Sequence, residues 1–458
     1  MNRKSRVAGA IVVGAALFTG GAFLPDRGPA TEPAEASVYL AATDLRVDAG
    51  NVDSAIATLQ KQIAAGGPRL ASTQASIAFA YLQKARNEAA PAFYGKAEAA
   101  LAASLRTQPV DNLEATLGMA ILEGSRHDFR GQLRWAKRAV AISPLHAEAH
   151  GIAGDAQLEL GSIEKGIDSY QRMVDIRPDL SSLGRISYAA DILGDTPGAI
   201  EAMKRALAFA GTSKDNAAWA HWQLGELYIG ADRLDKAGEH LRKALDLVPD
   251  FGGAIESTAH LAAAEGNMDR GIEILSGLVE DVPLPGNFTF LGELYLIEGR
   301  SSEAQQAFKE ADRRLRLYEE SGVRPDVDFV TFWVDRGLHL DRALKVARTL
   351  YAQRKSAAVS DALAWALYAR GRLVEAHGYA RQAVRRSPGD SGYLYHLGMI
   401  DLALGKEERA HDAFESALRA DPSWSIIESH TARAILEGGE RGASAAGRVS
   451  DVRRDADV

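Results

Sequence analysis

With 458 residues, 46% of them hydrophobic and only 7% aromatic, the chain has material for two or three compact domains or for one extended array, since single cores stop growing well below this length. Its 61 acidic against 53 basic residues leave a formal charge of −8, which excludes a phosphate-binding surface built on clustered Lys and Arg, and hence a nucleic-acid partner. The absence of cysteine excludes disulfides, thiolate metal sites, Cys nucleophiles and a lipid-modified N-terminal cysteine.

At the N-terminus Arg3, Lys4 and Arg6 precede an uncharged run from Val7 to Leu24. Positive charge before an apolar segment directs the downstream chain across a membrane, so residues 1–24 are expected to be an export signal or an N-terminal membrane anchor. As a helix the run would reach about 27 Å, marginal for a bilayer core. Retention and cleavage both stay open, with Gly20-Gly21-Ala22 and Ala34-Glu35-Ala36 as small-residue sites. The body is then expected to be extracytoplasmic, membrane-anchored or secreted, touching the membrane through this segment only. Residues 25–36, with Pro25, Pro29, Pro33 and three acids, read as a linker.

From residue 37 onward one device organises the chain. Phe288-x-x-Leu291-Gly292-x-x-Tyr295 is followed by Gly299 and then by Ala304-x-x-x-Phe308-x-x-Ala311. Leu394-x-x-Leu397-Gly398 leads likewise to Gly405, Ala410, Phe414, Ala417 and Pro422. A third copy runs Leu224-Gly225-x-x-Tyr228, Ala237, Leu241, Ala244 and Pro249. Steps of three and four put these residues on one helical face, and the glycine or polar turn between the halves makes each copy a helix hairpin. Gly on the first helix and Ala on the second let two backbones approach closely, and Pro ends the second helix.

This pattern resembles the tetratricopeptide repeat family. The resemblance implies an all-α superhelical solenoid of stacked helix-turn-helix units. About eleven copies fall within residues 37–424, with turns at Gly50, near Lys84, near Ser125, and at Gly161, Gly194, Asp232, Gly266, Gly299, near Leu338, Gly371 and Gly405. Their mean spacing is about 35.5 residues, so small insertions accompany a 34-residue unit. The largest lies around Asn87 to Ala92, and the eighth copy has a prolonged second helix from Ala304 to about Glu320. The ninth, around Phe332 and Trp333, is degenerate. Residues 425–436 read as a capping helix that solvates the end of the array. Residues 437–458 lack apolar periodicity and are expected to be disordered.

Two constellations hint at chemistry. Ser162-Ile163-Glu164-Lys165 has the spacing of a penicillin-recognising nucleophile, but its companion motifs are missing and Ser162 falls where a helix cap belongs. His146 and His150 stand four apart, a spacing that binds zinc on one helix face, though Glu148 is misplaced for a zinc protease and His150 takes the place of a packing aromatic. No catalytic residue, resident metal or cofactor is assigned. The alternative to a binding role is an enzyme or enzyme subunit with a cryptic site, for example at His146 and His150.

The resemblance implies that first helices line a concave groove that takes partner peptides or helices. The residues expected on this inward face are Asp155, Glu159, Tyr188, Asp191, Trp219, Trp222, Glu226, Glu256, His260, Glu293, Phe332, Asp335, Asp361, Trp365 and Tyr368, opposed only by Arg185 and Arg336. An acidic, aromatic face suits protein partners with basic or apolar segments. Trp219 and Trp222 avoid the repeat's own packing positions, which leaves two alternatives: they face the groove, or they face the adjacent repeat. The reading is therefore an extracytoplasmic interaction scaffold, in envelope or secretion assembly.

Overall fold

The computed structural model describes residues 52–438. The export segment, the linker, the first helix of the first copy and residues 439–458 of the tail lie outside the described residues. Among the described residues all regular structure is helical, in 22 helices. None is long and apolar enough to cross a membrane.

Helix α1 (Val52–Ala65) is the second helix of the first copy, and ten antiparallel hairpins follow. They pair α2 (Leu70–Asn87) with α3 (Phe93–Thr107), α4 (Leu113–Ser125) with α5 (Phe129–Ile142), and α6 (Ala147–Glu159) with α7 (Ile163–Ile176). Next come α8 (Leu180–Ile192) with α9 (Thr196–Ala208), α10 (Lys214–Gly230) with α11 (Leu234–Leu247), and α12 (Gly252–Ala264) with α13 (Met268–Asp281). The array continues with α14 (Pro285–Ile297) and α15 (Ser301–Glu320), α16 (Val327–Asp335) and α17 (Leu340–Gln353), and α18 (Ala357–Ala369) and α19 (Leu373–Arg386). Helices α20 (Ser391–Ala403) and α21 (Glu407–Ala420) form the last hairpin, and α22 (Ile426–Leu436) ends the described chain.

The hairpins close as the spacing dictates. A Cβ added at Gly398 of α20 would stand 2.6 Å from Phe414 of α21, so only glycine admits the aromatic ring there. On the second helices Ala237, Ala304, Ala376 and Ala410 are wholly buried, where a larger side chain would part the helices. Where no glycine supplies the left-handed turn residue, Ala89, His127 and Asp232 adopt positive φ, and in the ninth copy His339 does so alongside Gly337. The turn expected near Lys84 is thus corrected to residues 88–92: α2 runs on to Asn87, so the insertion is itself the turn.

The array does not stay open. Its curvature brings the turns of the third and fourth copies against the links that flank the ninth. Arg324 donates its backbone N–H to the Arg126 carbonyl at 3.0 Å and pairs with Asp128 at 2.9 Å. Arg130 donates to the Gln353 carbonyl at 2.6 Å, and Gly161 packs on Ser356. The 20-residue α15 explains the prolonged helix of the eighth copy: its Leu315 and Tyr318 share an apolar cluster with Tyr94, Leu101 and Leu122 of α3 and α4. Helix α22 packs on α20 and α21 as a cap, but it also touches α14 across the turn of the superhelix. It does not simply present a polar face to water, as an end-solvating helix would.

Candidate functional site

The closed turn encloses a cavity of about 670 Å³, inside the range of roughly 300–1,000 Å³ typical of ligand sites. First helices supply most of its wall: Glu159 at the end of α6, Glu256 and His260 on α12, Phe290 and Glu293 on α14, Asp328, Phe332 and Asp335 on α16, and Asp361 on α18. The link before α22 adds Trp424. Asp326 caps α16 by accepting the Val327 N–H at 2.7 Å, and Ser425 caps α22 by accepting the Glu428 N–H at 3.3 Å. These caps fix where the two helices enter the wall.

Carboxylates outnumber cations on this wall. Arg354 is engaged by Glu159 at 3.3 Å and by Asp326, and Arg336 is engaged by Glu293 while lying 4.1 Å over the Phe308 ring. Burial pushes the Glu159 carboxyl up to about 8, against the pull of the Arg354 guanidinium. Burial, reinforced by Glu226, pushes Glu256 up to about 7. Glu293 rises to about 7 by burial, opposed by Arg336 and reinforced by Asp335 and Glu428. Asp191 on α8, which is not among the cavity's lining residues, is pushed up to about 6 by burial and by Asp421. Crowded carboxyls of this kind favour whatever brings positive charge among them.

Of the residues expected on the inward face, the cavity gathers Glu159, Glu256, His260, Glu293, Phe332, Asp335 and Asp361. His260 keeps over a third of its surface open to the lumen and packs on Phe290 with ring centroids 4.0 Å apart. Others serve the wall from behind. Trp365 is buried, stacked between Tyr368 and His396 with centroids at 4.7 and 4.0 Å. Asp155 accepts from Tyr170 Oη at 2.8 Å and pairs with Arg185 at 2.9 Å. Tyr188 is buried, while Asp191 and Glu226 are half-buried.

The two tryptophans take the second alternative and face the adjacent repeats. Trp222 is only 3% exposed, donates Nε1–H to Ser257 Oγ at 2.8 Å, and fills space left by Gly253, whose added Cβ would meet the indole at 3.0 Å. Trp219 lies over Gly184 of the preceding copy, within 2.7 Å of where a Cβ there would stand. The histidine pair is corrected as well. His146 is the residue before α6, outside the helix, and His150 Nε2 lies 3.0 Å from the Pro144 carbonyl, so the two imidazoles do not share a helical face. Ser162 does stand at the N-cap of α7, though its side chain makes no capping bond.

Sequence reasoning missed the wall residues contributed by links and by α22: Asp326, Arg354, Trp424 and Ser429. Their only advance signal was composition, because they sit outside the repeat register that identifies inward positions.

A tetratricopeptide repeat model matches residues 130–181 and 362–425, and a second tetratricopeptide repeat model matches residues 220–251. No curated protein sequence matches the chain. Among solved structures it is similar to a human IFIT1 dimer with PPP-AAAA, at 16% identity over 83% of this chain and 80% of that one, with a TM-score of 0.46. It is similar to a tetratricopeptide repeat protein from Parabacteroides merdae, at 15% identity over 63% of this chain and 98% of that one, with a TM-score of 0.34. It is similar to the MamA protein, at 21% identity over 37% of this chain and 91% of that one, with a TM-score of 0.28.

Proposed function

We propose that this chain, a tetratricopeptide repeat protein and hence a protein-interaction scaffold, holds a basic segment of a partner protein in its acidic lumen, outside the cytoplasm. The observation that carries the reading is the excess of carboxyls on the cavity wall: Glu159, Glu256, Glu293, Asp326, Asp328, Asp335 and Asp361 stand against Arg354, already paired with Glu159 and Asp326, and Arg433, which hydrogen-bonds to Ser429 and the Pro422 carbonyl. Lys or Arg side chains of a partner would pair with Glu256 and Asp328, whose burial among other carboxyls favours a nearby positive charge, while Phe290, Phe332 and Trp424 receive their alkyl stems and the apolar residues beside them. The same wall repels acidic peptides.

The experiment compares fluorescein-labelled peptides of alternating lysine and alanine with their glutamate counterparts, by anisotropy on the purified chain. The lysine peptide should bind and the glutamate peptide should not. Glu256→Gln together with Asp328→Asn, which keep side-chain shape, should weaken binding by about tenfold, equivalent to about 1.4 kcal/mol. Equal binding of both peptides, or a folded double variant with unchanged affinity, overturns the reading.

The location rests on Arg3, Lys4 and Arg6 before the apolar run, which orient the body away from the cytoplasm and suit a role in envelope or secretion assembly. A reporter enzyme that folds only outside the cytoplasm, fused after Val458, should be active. An inactive fusion recovered intact from the cytosol overturns this part.

A further inference from the structure

Three side chains from separate helices converge behind the cavity wall: Asp335 at the end of α16, His396 on α20 and Glu428 in the first turn of α22. One ligand atom from each lies within 4.8 Å of the other two. Each is steered by a partner outside the trio. Asp361 Oδ2 lies 2.8 Å from His396 Nδ1, which assigns the neutral ring's proton to Nδ1 and turns Nε2 toward the carboxylates. Trp365 Nε1–H donates to one oxygen of Asp335 at 2.6 Å, and Trp424 Nε1–H donates to Glu428 Oε2 at 2.7 Å. Each indole thus occupies one carboxylate oxygen and leaves the other.

His396 is 5% exposed and pinned by its stack on Trp365, yet its Nε2 makes no hydrogen bond. It stands 3.3 Å from Glu428 Oε1, close enough for charge attraction but without hydrogen-bond geometry. A buried imidazole nitrogen aimed at two carboxylates and bonded to neither is a donor awaiting an acceptor of electron pairs.

We propose that Asp335, His396 and Glu428 bind one divalent transition-metal ion, with Asp361 as the residue that positions His396. One imidazole and two carboxylates form a nitrogen-and-oxygen donor set suited to zinc and its first-row neighbours. The outer partners match the arrangement in which a carboxylate orients a ligating histidine. Ligands of a tetrahedral ion with bonds of about 2.0–2.1 Å stand about 3.3–3.4 Å apart, so side-chain rotations of about 1 Å complete the site. Asp335 and Asp361 also line the cavity, which gives the ion access and leaves room for water as a further ligand. The competing arrangement is an imidazolium bridging Asp361 and Glu428, with Asp335 beside both His396 and Arg336.

The test strips the full-length chain with chelator and titrates it with Zn²⁺ alone by calorimetry. One equivalent should bind. Co²⁺ in its place should give visible absorption bands typical of a low-coordinate nitrogen-and-oxygen site. Asp335→Asn and Glu428→Gln, which still accept from the indoles, should each weaken binding by more than about tenfold, and Asp361→Asn by about 10–100-fold. Helicity by circular dichroism separates loss of binding from loss of fold, and the Co²⁺ spectrum of the unsubstituted protein stands even if every variant unfolds. Absence of a saturable equivalent in the folded, unsubstituted protein overturns the site, as does unchanged affinity in folded Glu428→Gln.

Discussion

Replacing Arg354 with methionine should lower the free energy of unfolding by about 3–5 kcal/mol, the usual cost of removing one partner from a buried ion pair. The side chain is 5% exposed and sits between two carboxylates, Glu159 of the fourth copy and Asp326 of the link before the ninth. It also donates to the Glu159 backbone carbonyl at 3.1 Å and lies 4.9 Å over the Phe129 ring. Methionine keeps much of the packing but strands both carboxylates. The loss should shrink in acid, because uncompensated carboxyls regain neutrality by taking up protons. Urea unfolding at pH 8 and pH 5 reads both effects. A loss below about 1 kcal/mol at pH 8 would falsify the view that Arg354 holds the fourth copy to the link before the ninth.

The unsubstituted chain should itself be more stable at pH 5 than at pH 8, by about 2–3 kcal/mol. Folding raises Glu159 from 4.5 to about 8 and Glu256 from 4.5 to about 7, so the folded chain holds these protons more tightly than the unfolded one. The resulting stability is complete below about 4.5 and is lost as pH climbs through 7 and 8. Glu293, raised to about 7, adds in the same sense, whereas His240 and His260, lowered by burial to about 4, bind fewer protons in the folded chain than in the unfolded one and oppose it, so with water in the lumen the figure is set well below the sum of the carboxyl shifts. Glu256→Gln should make the profile shallower by removing one of these carboxyl titrations. A midpoint of thermal unfolding that stays level, or rises, between pH 5 and pH 8 contradicts the assignment.

The repeat hairpins were legible because their signature residues report contacts inside a hairpin and with its neighbour. Gly398 against Phe414, and the buried alanines of the second helices, are local facts about how closely two backbones approach. Trp222 was legible in kind but left open in direction. Its complement, Gly253, stands one repeat further on, and a large indole matched to a glycine at that offset is the signature of packing between copies. Closure of the superhelix was not legible. It accumulates from small rotations over many hairpins, and it is fastened by Arg324 and Arg354, which lie in links where no periodicity assigns a direction. For the same reason the lumen's inward carboxylates on first helices were foreseen, while Trp424 and the face of α22 were not.

Closure also makes the number of copies between the fourth and the ninth a fixed quantity. An open solenoid tolerates gain or loss of a hairpin, since each unit touches only its neighbours and the ends are free to move. Here the turns of the third and fourth copies must meet the links around the ninth, with Arg130 reaching the Gln353 carbonyl and Gly161 resting on Ser356. Deleting one whole hairpin between them, however well the cut ends rejoin, rotates one side of this meeting by a full repeat and presents Arg354 to the wrong carboxylates. Duplication does the same in the other direction. Between its fourth and ninth copies the chain has thus given up the modular growth by which repeat arrays ordinarily diversify, and change there is confined to substitutions within a constant count.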